Sequence, residues 1–283
     1  MADINRAILT GIAIFVMAMC TAHADVMKNV RETGVLKIGY REDAEPFSFI
    51  NSQGVPAGYS ISLCRAVESY LKSDLKLTSV KAKYVPVNSA DRFKKLQEGE
   101  VDLLCGATSA TLKRRELVDF SIPTFITGAT VMVRRDGPQS LADMKGRKIG
   151  VLAATTTAEA LLKTLEKFSV NAEVVPVSSH NDGFAKLQNN EISAYFGDRA
   201  ILVTLVRRLA GEKNIGVSTR LFSLEPYAIG LPRGDSNFRL VVDAAISKVF
   251  RSPQIQKIYQ QAFGNEPPSD LLKALFVTGA LPD

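Results

Sequence analysis

A chain of 283 residues that is 46% hydrophobic can bury a large core, and its length favours two domains. A net charge of +6 admits nucleic acid, a membrane surface or an anionic ligand as partner. Three Cys and two His leave no zinc-type spacing, so no metal or other cofactor is expected.

The N-terminus speaks to compartment. Ile8 to Met19 is an apolar run preceded by Arg6 and followed by Ala22-His23-Ala24, a small-x-small pattern of the secretory kind. The run falls short of the ~20 residues that a membrane span needs. Cys20 follows Met19 where a lipid-acceptor cysteine expects a small residue. Cleavage after Ala24 is therefore expected. It removes Asp3 together with Arg6, so the charge balance is unchanged, and no later segment is apolar enough to span a bilayer. Residues 25–283 should be soluble and exported, to the periplasm. The basic clusters Lys113-Arg114-Arg115, Arg134-Arg135 and Lys145 to Lys148 lack interleaved aromatic platforms. With export, that argues against nucleic acid. An oxidising compartment permits a disulfide between Cys64 and Cys105. Two buried thiols are the alternative, because sequence does not supply the Cα spacing a bridge needs.

Strands and helices alternate along the body. Val35 to Tyr40 reads as a strand, Tyr59 to Leu71 as an amphipathic helix with Leu63, Val67, Tyr70 and Leu71 at helical spacing. Strand Val80 to Val87, helix Asp91 to Glu98 and strand Val101 to Cys105 follow. An extended run, Ala129 to Arg134, opens a second unit. It continues with strand Lys148 to Leu152, helix Ala158 to Phe168, strand Glu173 to Val177, helix Asp182 to Asn189, strand Ile192 to Phe196 and helix Arg199 to Leu209. Such alternation implies parallel sheets flanked by helices. Asp91 to Asp102 is echoed by Asp182 to Ser193, each a short helix, a polar turn and a buried strand. Two similar α/β lobes facing each other follow, with a cleft between them as the default ligand site. Glu225 to Leu231 then leads back towards the first lobe, and helices Ser236 to Phe250 and Gln254 to Phe263 complete it. The tail after Gly264, with Pro267-Pro268 and one short apolar helix, reads as surface packing.

Four segments in order resemble the polar amino-acid branch of the extracellular solute-binding proteins of ABC transporters, in particular periplasmic glutamate/aspartate-binding proteins. They are Gly39 to Ser48, Gly58-Tyr59-Ser60, Ser109 to Arg114 with Asp119-Phe120-Ser121 behind it, and Gly197-Asp198. The resemblance implies a two-lobed α/β fold of type II. Residues 25–127 with 226–283 would form one lobe and 128–225 the other. Two hinge strands, near Thr127–Thr130 and Phe222–Tyr227, would let the lobes close on a ligand. It also implies an inner-membrane ABC permease as partner and a monomeric chain.

A buried amino-acid zwitterion needs a fork-shaped cation, a carboxylate and neutral donors, because either charge unpaired is costly. Arg114 is the candidate for the α-carboxylate, against a solvated place in its basic run. Ser109 matches the family's hydroxyl position, and Ala107 a position where close relatives carry Ser. Thr156 and Thr157, in a Thr-rich strand-to-helix junction, match contact positions and could equally serve as a plain cap. Asp198 follows a buried strand and by resemblance accepts the α-ammonium, or alone caps the next helix. Arg41 stands where relatives for neutral or basic amino acids carry an acid. Ser89 and Arg92 match a pair holding an acidic side chain, and His180 matches a contact in that branch, or is a loop histidine on solvent. Three arginines with Asp198 complement glutamate or aspartate. The rivals are another polar ligand such as glutamine or a dicarboxylate, and a cyclohexadienyl (prephenate/arogenate-type) dehydratase using Asp198 or His180 as acid or base. No G-x-S-x-G elbow or phosphate loop favours an enzyme, and no signalling domain favours a sensor.

Overall fold

In the computed structural model, residues 25–209 and 214–282 are described. The expected signal segment, with its cleavage position, lies outside them. Helix α1 (Val26–Thr33), a further element before the first expected strand, buries Val26, Met27 and Val30 on one face. It is capped by Asp25, whose side chain accepts from Lys28 N. Then come β1 (Val35–Tyr40), the short strands β2 (Asp43–Ala44), β3 (Ser48–Ile50) and β4 (Pro56–Ala57), and helix α2 (Tyr59–Ser73). Next are β5 (Lys81–Pro86), α3 (Arg92–Gln97), β6 (Leu103–Cys105), α4 (Leu112–Arg115), β7 (Asp119–Phe120) and β8 (Phe125–Thr127). The second unit runs β9 (Ala129–Arg134), β10 (Lys148–Leu152), α5 (Thr156–Lys167), β11 (Glu173–Val177), α6 (His180–Gln188), β12 (Ala194–Asp198), α7 (Arg199–Arg208) and β13 (Ile215–Val217). The chain returns through β14 (Glu225–Tyr227) and β15 (Gly230–Leu231) to α8 (Ser236–Phe250), α9 (Gln254–Phe263) and α10 (Asp270–Thr278).

Two five-stranded sheets share one topology. Their orders are β5-β1-β6-β15-β7 and β11-β10-β12-β9-β13. In each, a first strand lies between a second and a third, all parallel, and a strand that has crossed from the other unit pairs antiparallel beside the third. The carboxyl ends of the parallel strands are where open α/β sheets present their ligand loops.

The apolar periodicity becomes burial. Leu63, Val67 and Leu71 of α2 are fully buried in one core with Leu36 and Ile38 of β1 and Phe238, Val242 and Ile246 of α8. Leu161 and Leu165 of α5 pack with Ile149, Val151 and Phe196. Phe184 and Leu187 of α6 join Leu202 and Leu205 of α7 on the opposite face of that sheet. The C-terminal tail does more than lie on the surface: Leu272 is buried in the first core and Phe276 lies 5.2 Å from the Phe250 ring.

The crossings pair with each other. β14 runs antiparallel to β8, Glu225 opposite Thr127 and Tyr227 opposite Phe125. A cluster of Phe47, Tyr59, Phe125, Tyr227 and Phe263 anchors this ribbon to the first core, with Phe47–Phe125 and Phe47–Tyr227 centroids 4.9 and 5.0 Å apart. Gly128 follows directly, and a Cβ there would stand 2.1 Å from the Ser223 carbonyl, so only glycine lets the crossings approach so closely.

Cys64 on α2 and Cys105 at the end of β6 are bonded to each other, their Cα atoms 6.3 Å apart and 41 residues apart in sequence. Closing a loop of that length removes about 4 kcal/mol of chain entropy from the unfolded state. Cys64→Ser with Cys105→Ser should lower the unfolding free energy in urea by about 2–4 kcal/mol. Reductant should lower the melting temperature of the parent but not of the variant, whereas an unaffected parent would mean free thiols.

Candidate ligand-binding site

Each candidate residue follows the carboxyl end of a parallel strand. Arg41 follows β1, Arg92 follows β5, and Ala107, Ser109 and Arg114 follow β6. From the other sheet, Thr156 and Thr157 follow β10, His180 follows β11, and Asp198 ends β12. The two sheets present these ends to each other. Arg41, Arg92, Ala107, Ser109, Arg114, Thr156, Thr157, His180 and Asp198 line one cavity, with Thr155, Ile201 and Tyr227. Ser89 is not among its lining. It is half-buried in a turn tied by Asn88 N to Asp91 Oδ1 at 2.8 Å, and only Arg92, at the start of α3, reaches the cavity from this segment.

The arginines differ in their compensation. Arg114 Nη1 donates to the Ser109 carbonyl at 2.9 Å, and its guanidinium lies 5.2 Å from the Phe93 ring centroid. Arg92 lies over the same ring at 4.8 Å. Phe93, unremarked in the sequence, is a shared platform for both cations. Arg41 donates from Nε and Nη2 to Asp43 Oδ1, at 3.0 and 2.6 Å. Arg92 is 2% exposed and donates from Nη2 to the Ala154 carbonyl at 3.3 Å, but its Nε and Nη1 are buried without a partner. Burial, with Arg114 and Arg41 nearby, pushes its guanidinium down to about 9.

Thr155 caps α5, its Oγ1 accepting from Ala158 N at 3.1 Å. That frees the next two residues: Thr156 Oγ1 donates to Glu225 Oε2, and Thr157 Oγ1 lies 2.7 Å from Thr155 Oγ1. Ser109 Oγ donates to the same Glu225 oxygen at 2.5 Å and stands 2.9 Å from Thr156 Oγ1. A hinge carboxylate therefore ties together one hydroxyl from each sheet.

Asp198 combines cap and charge. Its Oδ1 accepts from Ala200 N at 3.0 Å and Ile201 N at 3.4 Å, opening α7, and from Thr127 Oγ1 at 3.1 Å. Its Oδ2 accepts from the Tyr227 hydroxyl at 2.6 Å. Complete burial pushes its carboxyl up to about 7; hydrogen bonds from Tyr227 and Thr127 oppose this, while the Glu225 charge adds to it. Thr127, Glu225 and Tyr227 come from the paired crossings, and the alternation of β14 places Glu225 and Tyr227 on one face with Pro226 on the other.

His180 is not a solvent histidine. It is the first residue of α6, 5% exposed, with Nδ1 2.8 Å from the Tyr195 hydroxyl. A Cβ on Gly183 would stand 2.4 Å from that Tyr195 ring, so this glycine admits the ring against the helix. Burial drives His180 down to about 4, leaving the imidazole neutral at pH 7 although Asp43 pulls the other way.

The lining encloses only about 20 Å³, far less than an amino acid occupies. Direct contacts across the cleft fill the rest: Arg92 to the Ala154 carbonyl, Ser109 to Thr156, and Asp43 Oδ2 accepting from His180 N at 3.4 Å. Arg208 bridges to Glu45 at 3.1 Å. These contacts hold the two sides of the cavity together in this structure.

The chain matches the bacterial extracellular solute-binding proteins, family 3, over residues 36–265. It is 31% identical to an L-glutamate/L-aspartate-binding protein of Pseudomonas aeruginosa over 251 residues, covering 87% of this chain and 82% of that one. It is 27% identical to a glutamate/aspartate import solute-binding protein of Escherichia coli over 266 residues, covering 90% and 88%. Among solved structures, an ancestral arginine-binding protein bound to glutamine superposes with a TM-score of 0.73 at 26% identity, covering 82% of this chain and 99% of that one. With this sheet topology and that match, the chain belongs to the bacterial extracellular solute-binding proteins, family 3, and to the amino-acid binders of ABC transport among them.

Proposed function

We propose that this protein, after export to the periplasm, captures glutamate or aspartate between its lobes and presents it to an inner-membrane ABC permease. The observation that carries this reading is Arg92, buried with two N–H donors unpartnered. A buried cation left so costs several kcal/mol, and a carboxylate arriving with the ligand removes that cost. In this reading Arg92 takes the side-chain carboxylate, with Arg41 and the neutral His180 beside it. Arg114, Ser109, Thr156 and the N-terminal N–H groups of α5 receive the α-carboxylate. Asp198 accepts the α-ammonium, and Thr127 and Tyr227 orient its carboxylate. Relatives named for glutamate and aspartate support the same class. Glutamine is the second reading, because Asp43 already matches the charge of Arg41.

A thermal-shift panel of glutamate, aspartate, glutamine and succinate tests the assignment. The true ligand at a hundredfold above Kd should stabilise by about 2.7 kcal/mol. Stabilisation by glutamine alone would overturn the acidic reading. Succinate matching glutamate would remove Asp198 from its role.

Arg114→Ala should abolish binding of every amino acid. Arg92→Gln should weaken glutamate roughly a hundredfold and glutamine far less, as befits loss of a buried charge partner. Equal losses in calorimetry would mean that Arg92 supports the fold and not the side chain.

The pH profile follows from Asp198. Its folded value near 7 lies above the ordinary carboxylate range, so burial makes it a net cost to stability that grows as pH rises towards 7. For binding the sign is opposite. An ammonium is accepted only by the ionised form, so affinity should climb with pH up to about 7, level off above it, and fall about tenfold per unit below. Asp198→Asn should bind weakly with a flat profile.

A further inference from the structure

The Arg41–Asp43 pair changes what the side-chain end of the cavity can select. Arg41 is 5% exposed and the Asp43 side chain 18%, so their attraction is little screened by water. Asp43 is held in place by the small β2–β3 sheet, where it pairs with Phe49. Ser48 Oγ fastens the preceding turn by accepting from Arg41 N at 2.8 Å and donating to Arg41 O at 3.0 Å. The other Asp43 oxygen faces the N-terminus of α6 from the opposite lobe, where a negative charge is favoured. Burial works against its ionisation, but the Arg41 guanidinium, with the backbone N–H of His180, holds its carboxyl below the usual range.

Charge counting then departs from three arginines against one acid. Arg41, Arg92 and Arg114 are met by Asp43, Asp198 and Glu225, and the buried His180 is neutral. Neither Asp43 nor Glu225 lines the cavity; each is bonded to residues that do. Arg41 is thus already paired with a carboxylate before any ligand enters, and of the two cations at the side-chain end only Arg92 still has donors free for a second ligand carboxylate.

We propose that Asp43 is a specificity-determining residue, one that neutralises Arg41 and so narrows the preference for acidic over amide side chains, letting glutamine and asparagine compete with glutamate and aspartate. The proposal rests on amino-acid capture at this cavity and names the breadth of the ligand class there.

Calorimetry with the isosteric pairs glutamate/glutamine and aspartate/asparagine tests it in the parent chain, in Asp43→Asn and in Glu42→Gln. The last makes the same charge change at the exposed neighbouring residue. In Asp43→Asn the amide-to-acid Kd ratio should rise about tenfold or more, the equivalent of one charge partner removed. In Glu42→Gln it should stay within about twofold, the range for a screened surface charge. An unchanged or lower ratio in Asp43→Asn, with its melting temperature retained, overturns the proposal. So does an equal loss of both ligands, which would make Asp43 a structural support, or the same rise in Glu42→Gln, which would make the effect one of bulk charge. If Asp43→Asn does not fold, Asp43→Ser carries the same expectation. A parent chain that binds none of the four amino acids retires the capture reading and this proposal with it. Binding of glutamate with no effect of Asp43→Asn retires the proposal alone.

Discussion

Three guanidinium groups buried between two lobes are the constraint around which this molecule is arranged. Arg41, Arg92 and Arg114 are each at most 9% exposed. Cations so far from water must find acceptors or destabilise the closed form. The structure meets the demand unevenly. Arg41 receives a carboxylate, Arg114 a carbonyl and the Phe93 ring, and Arg92 a carbonyl, the same ring and two donors left over. The two lobes are thus held together in part by bonds that leave Arg92 under-compensated.

The paired crossings do more than connect. Of their residues Tyr227 lines the cavity, while Thr127 and Glu225 stand behind it, so the crossings also supply partners to Asp198, Ser109 and Thr156. These bonds, from both crossings, all meet residues at the strand ends of the two sheets. Asp198 shows this most directly: it caps α7 in one lobe while its carboxylate is fixed by hydroxyls from both crossings. One carboxylate thus joins a helix terminus to both crossings.

Much of the site was legible from the chain alone because parallel sheets present their ligands at strand ends. Once the alternation is read, the residues just after β1, β5, β6, β10, β11 and β12 are candidates, and motif order selects among them. Ser89 is the departure. The family resemblance pairs it with Arg92, and in this structure the Asn88–Asp91 turn sets Arg92 but not Ser89 in the cavity lining. Phe93, Asp43 and Glu225 carried no motif signal. A phenylalanine beside an arginine, or an acid two residues after one, is ordinary on a surface, and each matters here only because the fold buries it against a cation.

What the sequence determined by itself was the alternation of strands and helices, the duplicated unit, and the identity of the residues at the strand ends. These follow from short-range periodicity and from order along the chain. Tertiary structure alone decided which charges meet. Asp43 reaches Arg41 within one turn yet also touches α6 across the cleft, and Glu225 joins Ser109 to Thr156 over separations of 116 and 69 residues. Long-range pairing of this kind leaves no local pattern, since the attraction between two charges depends on their distance and burial in the folded molecule and not on their spacing in the chain.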